Sequence, residues 1–210
     1  YRNHGFDVTK HRVTYHLGND TLLNLADLDF HQTKKAITFI GTLSWEPNID
    51  GIVWFLESVW PSILEKHNDC KVYILGKSPD DRIIKASKQH PNIIFTGFVK
   101  DLEEYLKKTR VYIAPLRFGS GMKVKVLEGL YRGVATVTTS VGAEGLMIEN
   151  GKEVMIADTS EKFAKDCLTL LEDVTLWNKL RDNSRKLARK EYRWKTLFQK
   201  MDLAFKKLLH

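Results

Sequence analysis

The chain has 210 residues, of which 43% are hydrophobic and 28% charged, with a formal net charge of +7. These proportions suit a soluble globular domain, and no apolar run approaches the ~18 residues that a membrane span requires. The charge is uneven, because residues 176–210 carry eleven Lys or Arg against three acids; a nucleic-acid footprint spread over the whole fold is thereby excluded.

The polar opening, with no starting Met and no leader-like segment, reads as a piece of a longer chain. Cys70 and Cys167 lack metal-ligand spacing and are expected to be reduced cytosolic thiols rather than a disulfide. The basic carboxyl-terminal stretch fits a solvated helical face or a contact with an anionic membrane surface.

Residues 1–35 lack a regular pattern. They are expected to be a linker or the remnant of a preceding domain, with one strand at Val13–His16. From residue 36 to 210 strands and helices alternate. Ala36–Gly41 ends an apolar run at glycine, as a buried parallel strand does. Asn48 is placed to cap the next helix, along which Ile49, Ile52, Val53 and Leu56 recur at helical spacing, and Pro61 should bend or restart it. Cys70–Gly76 reads as the second strand, and Ser78-Pro79-Asp80-Asp81 as a helix start with Pro at its first position. Asn92–Thr96, Val111–Ala114, Val134–Thr138 and Glu153–Ile156 complete six strands. Helices are predicted at Asp101–Lys108, from Met122 to Arg132, and at 160–172, 174–190 and 194–209, with Trp177 and Trp194 in the core. The order implies an α/β, Rossmann-like, three-layer domain with an open parallel sheet of about six strands.

Ligands of such sheets bind beyond the carboxyl ends of the strands. The most informative loop there is PLRFGSG, followed by the helix MKVKVLEGLYRG. Gly119 and Gly121 let the backbone approach a ligand closely, and the helix amino terminus suits a diphosphate. On a helical wheel Gly121, Lys125, Glu128 and Arg132 share one face, while Val124, Leu127 and Tyr131 share another. Lys125 can meet phosphate oxygens and Glu128 a ribose diol; the plainer alternative is a Lys–Glu pair on a solvated face. The dinucleotide fingerprint is not present, since it follows the first strand and needs a third glycine. Glu144 follows Gly142 in a loop at the same edge and is a candidate for the sugar pocket or a solvated acid. His4, His11, His16 and His31 have no metal spacing and read as surface residues.

Four segments in order, FIGTLSWEPNIDGIVWFLESVWPSI, ILGKSP, FTGFVKDLEEYLKKTRVYIAPL and GSGMKVKVLEGLYRGVATVTTSVGAEGL, resemble the carboxyl-terminal domain of GT-B glycosyltransferases of family 4. The resemblance covers about 175 residues. It implies a donor-binding half that holds a nucleoside-diphosphate sugar, an acceptor half in a missing amino-terminal domain, and transfer with retention, without a metal or other cofactor. It also implies a cytoplasmic enzyme of polysaccharide or glycan synthesis, peripheral at the inner face of the membrane, with a lipid-linked acceptor as one option, and with this chain alone inactive. Glu128 matches the second glutamate of the family's paired-glutamate motif and Lys125 a basic position of its Gly-Ser-Gly branch. Gly119, Gly121, Met122, Lys123, Val124 and Leu127 match the donor motif, Gly97, Phe98 and Val99 the loop that meets the base, and Gly41, Thr42 and Gly76 the first two strand ends. The first glutamate of the pair is replaced by Ser120, which can hydrogen-bond a hydroxyl but cannot act as a carboxylate. Ser120, Lys125 and Glu128 are the expected catalytic set. A binding module without transfer activity, or a different Rossmann-like nucleotide enzyme, are the alternatives.

Overall fold

The computed structural model describes residues 14–88 and 90–206; His4, His11 and Val13 lie outside them. Strands β1 (Lys34–Ile40), β2 (Lys71–Leu75), β3 (Ile93–Gly97), β4 (Thr109–Ala114), β5 (Thr136–Thr138) and β6 (Met155–Ile156) form one sheet in the order β3-β2-β1-β4-β5-β6. All five neighbouring pairs are parallel. β4 is buried along nearly its whole length, as expected where helices cover both faces. The expected strand at Val13–His16 does not form in its described part, since Thr14–His16 has no strand pairing.

The chain leaves β1 toward β2 and β3, then returns to the other side of β1 for β4 to β6. Right-handed crossovers place helices of the two excursions on opposite faces. The first excursion carries α1 (Glu46–Trp54), α2 (Trp60–Lys66) and α3 (Asp81–Ser87). The second carries α4 (Glu103–Leu106), α5 (Val124–Arg132) and α6 (Ser140–Ala143). Helices α7 (Ser160–Glu172), α8 (Val174–Leu187) and α9 (Trp194–Lys206) end the described chain. α7 packs on α2, β4 and β5, and α8 on α5. Ile37, Phe39, Ile52, Trp60, Val111, Phe163 and Trp177 belong to one continuous core. Leu127, Leu130, Tyr131 and Tyr192 form a second.

Local chemistry sets the helix boundaries. Pro61 stands at the start of α2, and the turn before it, Phe55–Val59, opens to a wide π-turn, because proline supplies no N–H and its ring displaces the carbonyl one turn back. Asp80, not Ser78, caps α3, accepting from Arg82 N at 2.9 Å; Pro79 therefore precedes the helix instead of opening it. Thr159 and Asp173 cap α7 and α8.

Residues 20–33 run along the domain and bury Leu23, Leu28 and Phe30. Arg110 lies over the Phe30 ring at 4.0 Å and donates to the carbonyls of Phe30 and Thr33. In the basic stretch Arg185 is only 1% exposed, so this part of it is an internal clamp and not a solvated face. Trp177 is buried and donates to Arg110 O at 2.7 Å. Trp194 is instead 41% exposed, because α9 packs through Leu197. Cys70 and Cys167 are free and buried; burial pushes the Cys70 thiol up to about 12 and the Cys167 thiol well upward, which keeps both protonated and unreactive.

Candidate functional site

The two excursions part at β1, so a crevice opens between the carboxyl ends of β1 and β4, the position at which open α/β sheets bind ligands. β1 ends at Gly41 and the following loop runs through Thr42 to Trp45. β4 ends at Ala114 and is followed by Pro115, against which α1 packs so closely that a Cβ on Gly51 would lie 2.3 Å from Pro115 O. The loop Arg117–Lys123 then crosses the mouth of the crevice and delivers α5. Gly119 and Gly121 have φ values of +115° and +78°, which side-chain-bearing residues rarely adopt. These two glycines permit the loop's path.

α5 opens at Val124, with Lys123 at its cap position. Gly121 therefore lies in the loop and not on the helical stripe with Lys125 and Glu128. Arg132 leaves that stripe too: it is buried, pairs with Glu103 through bonds of 2.6 and 2.7 Å, and donates to Ala26 O. Lys123 is buried, and its ammonium is held by Gly121 O at 2.5 Å, Gly119 O at 3.5 Å and Glu144 Oε2 at 3.6 Å. The side chain thus pins the glycine loop from beneath, and Glu144 acts as an outer clasp. Ser120 sits exposed at the loop's tip.

Lys125 reaches back from α5 to the end of β1. Its ammonium lies 2.5 Å from Asn48 Oδ1 and 4.2 Å from the centroid of the Phe39 ring. A Cβ on Gly41 would meet the same ammonium at 2.9 Å. Burial drives the Lys125 ammonium down to about 7, against which the nearby Glu128 pulls it up. Glu128 is half-buried, one turn along, and burial raises its carboxyl, opposed by Lys125 and His16. Among the described residues Glu128 has no hydrogen bond or salt bridge, and the two side chains do not form the ion pair of a solvated surface. A partly desolvated cation and a carboxylate with open acceptor positions are what a polar ligand would complete. Val124 is half-buried, Met122 packs beside Gly145, and the Leu127 side chain is buried in the second core.

A groove of about 550 Å³ continues from this crevice across the ends of β1, β2 and β3, lined by Gly41, Thr42, Gly76, Lys77, Phe98 and Val99. Gly76 donates to Gly97 O at 3.1 Å, and a Cβ there would lie 2.0 Å from Gly41 O, so the strand ends meet with no room for a side chain. Phe98 is 68% exposed, and the Lys77 ammonium lies 4.4 Å from its ring centroid. The structure thus brings Gly41, Thr42, Gly76, Phe98 and Val99 onto one wall and sets the Lys125 ammonium at its Gly41 end; Glu128 stands one turn further along α5 and does not line the groove. Asn48 does not cap the helix: it lies in the first turn of α1 and bonds sideways, a role that spacing along the chain does not reveal. Among the described residues no three of His, Cys, Asp or Glu converge as metal ligands, and no helix is long and apolar enough to cross a membrane.

Residues 34–173 match the family model described as glycosyl transferases group 1. A 44.6 kDa protein of the cps region of Klebsiella pneumoniae is 24% identical over 177 residues, which cover 81% of this chain and 45% of that protein; the chain spans less than half the length of this relative. The fold is similar to that of Anabaena Alr3699/HepE in complex with UDP and glucose, with TM-score 0.76 at 13% identity, over 98% of this chain and 59% of that one. It is also similar to the carboxyl-terminal domain of LpcC, a glycosyl transferase group 1 family protein from Francisella tularensis. There the TM-score is 0.63 at 18% identity, covering 90% of this chain and all of that one.

Proposed function

We propose that this chain, which belongs to the family of glycosyl transferases group 1, is the donor-binding half of an enzyme that transfers a sugar from a nucleoside-diphosphate sugar with retention. The observation that carries this reading is the Lys125 ammonium held at the Gly41 end of a groove lined by Gly41, Thr42, Gly76, Phe98 and Val99, with Glu128 one turn along the same helix. The base lies along that wall, near Phe98. The ribose diol donates to Glu128, whose carboxylate has open acceptor positions. The diphosphate meets Lys125 and the free N–H groups where α5 begins, a positive helix end. As the sugar leaves, charge grows on that diphosphate; a preplaced cation and helix dipole stabilise it without a metal. Ser120, Met122 and the loop glycines face the sugar. A structural relative of the same fold was solved with UDP and glucose, which supports this class of donor.

The acceptor is held by a second domain, so the chain alone binds donor without transferring sugar. The work is cytoplasmic and serves the synthesis of a polysaccharide or other glycan, in keeping with a relative from a cps region. The basic carboxyl-terminal helices rest against the inner face of the membrane, where a lipid-linked acceptor would be presented. Calorimetry of the chain with UDP and UDP-glucose tests the reading. Saturable binding that weakens by roughly tenfold or more when Glu128 is replaced by Ala is expected; no binding of any nucleoside diphosphate overturns it. The exposed Ser120, where the family carries a glutamate, favours a second reading, a donor-binding module without transfer. Assay of the full-length protein with Ser120→Glu separates the two.

A further inference from the structure

The crevice contains one buried polar side chain that the reading above does not use. Asn48 is 2% exposed. Its backbone N–H donates to Trp45 O at 2.9 Å within the first turn of α1, and its side chain caps nothing. Nδ2 instead donates to Thr42 O at 2.8 Å, and Oδ1 accepts from Lys125 Nζ at 2.5 Å. The amide's orientation follows from its partners alone. Thr42 O can only accept, and an ammonium can only donate; a flipped amide would set oxygen against oxygen and NH₂ against NH₃⁺. Only a short planar group with a donor on one side and an acceptor on the other serves both. Asp has no proton for Thr42 O, Ser is too short, and Leu does neither.

We propose that Asn48 is a positioning residue, which fixes the Lys125 ammonium above the end of β1 and locks the Thr42 loop to α5 through that ammonium. It rests on the reading that Lys125 meets the donor diphosphate. Lys125 belongs to α5, Thr42 to the β1–α1 loop, and the two elements come from opposite excursions of the chain. Asn48 bonds both, so the spacing between the crevice's walls is set before a ligand arrives. Preplacement of this kind lowers the ordering cost of binding. The charged group acting on Lys125 from its own helix is Glu128. His16 of the upstream segment faces Glu128, Phe39 of β1 offers a ring face, and α1 offers Asn48 alone. The ammonium, lowered to about 7 by burial, is therefore sensitive to what stands at position 48.

The experiment follows the Lys125 side chain by NMR of the chain labelled with ¹³C and ¹⁵N in lysine, with Lys125→Met to assign the signal, and measures UDP affinity against pH. Asn48→Asp keeps the shape, so its fold is checked by thermal melting. The added carboxylate should raise the Lys125 titration midpoint by at least about one pH unit and carry the pH midpoint of UDP binding with it. Asn48→Ala should broaden or shift the Lys125 signal and weaken UDP binding about tenfold. In the Lys125→Met background the same replacement should cost little further affinity, because the side chain it positions is gone. Unmoved Lys125 titration in both variants, or an equal loss of affinity with and without Lys125, overturns the proposal. A Lys125 signal that responds to position 48 while UDP affinity ignores both residues upholds the positioning role and sinks the placement of the diphosphate.

Discussion

Arg185 Nε lies 2.6 Å from Asp27 Oδ1, and the same guanidinium donates to the carbonyls of Leu23, Leu25 and Tyr131 at 3.0, 2.7 and 3.0 Å. One side chain of α8 thus ties the upstream segment to the end of α5. Arg185→Met would leave those carbonyls without their donor. The loss expected is about 2–4 kcal/mol, read by urea denaturation. Asp27→Asn should cost far less, because Asp27 is exposed and the carbonyl bonds remain. Equal losses for the two would deny the clamp.

Glu128→Ala should weaken UDP binding roughly tenfold to a hundredfold, the worth of a hydrogen bond to a charged group, and weaken uridine binding by a similar factor. Lys125→Ala should hurt UDP more than uridine, because the partner proposed for it is phosphate. Calorimetry with uridine, UMP and UDP separates the two patterns. Identical profiles for both variants would mean that the residues do not divide ribose from phosphate.

The buried ammonium also gives stability a pH dependence of known sign. Lys125 titrates at about 7 in the folded chain and near 10.4 when unfolded. Below pH 7 the folded state holds a charged amine in a desolvated place, and the cost is present in full. Between pH 7 and about 10.4 the unfolded chain binds the extra proton, so this contribution to stability rises with pH. Relative to Lys125→Met, the parent should gain stability across that window. UDP binding near pH 8 should take up a proton, since a diphosphate favours the ammonium. Calorimetry in buffers of different ionisation enthalpy measures that uptake, and a value of zero would place the phosphates elsewhere.

Gly76→Ala would bring a Cβ within 2.0 Å of Gly41 O, a backbone atom that moves only with β1. A destabilisation of about 2–3 kcal/mol is expected, together with loss of UDP affinity as the groove's floor shifts. Gly121→Ala meets no neighbour within 4 Å, and its cost is backbone strain at φ +78°, about 1 kcal/mol. A melt of each variant ranks them; the reverse order would contradict the packing described.

α9 leaves Trp194, Phe198, Leu203 and Phe205 exposed beside Lys195, Lys200 and Lys206. Anionic vesicles should capture the chain at low salt and release it as salt rises, at about 1 kcal/mol for each basic residue near the surface. Phe198→Ser with Phe205→Ser should reduce co-sedimentation. Equal recovery with neutral vesicles would deny an electrostatic contact.

The strands were legible because β1, β2 and β4 are buried on both faces and read as apolar runs, and α7 because Thr159 and Asp173 bracket it with local caps. Along α5 the spacing puts Lys125, Glu128 and Arg132 on one stripe, but Arg132 is drawn away by Glu103 and Ala26, partners from distant turns. The partners of Asn48, Lys123 and Arg185 escape the sequence for the same reason: each is a polar residue whose bonds are set by tertiary contact, and nothing in its neighbours along the chain announces them. The helical pattern around Trp194 predicts a core residue, whereas α9 turns Leu197 inward and leaves Trp194 exposed.

β1 pairs with β2 through residues about 35 positions away and with β4 through residues about 75 positions away. Both partners are needed before the crevice exists. Closing the longer loop precedes any gain from its contacts, and such distant pairings slow folding. The β1–β2 unit can form from neighbouring sequence, while the ammonium of Lys125 meets Asn48 only after β4 and α5 have docked. Protection of the β1–β2 amides from hydrogen exchange should therefore run ahead of recovery of UDP binding during refolding, and the interval between them measures the docking of the two halves.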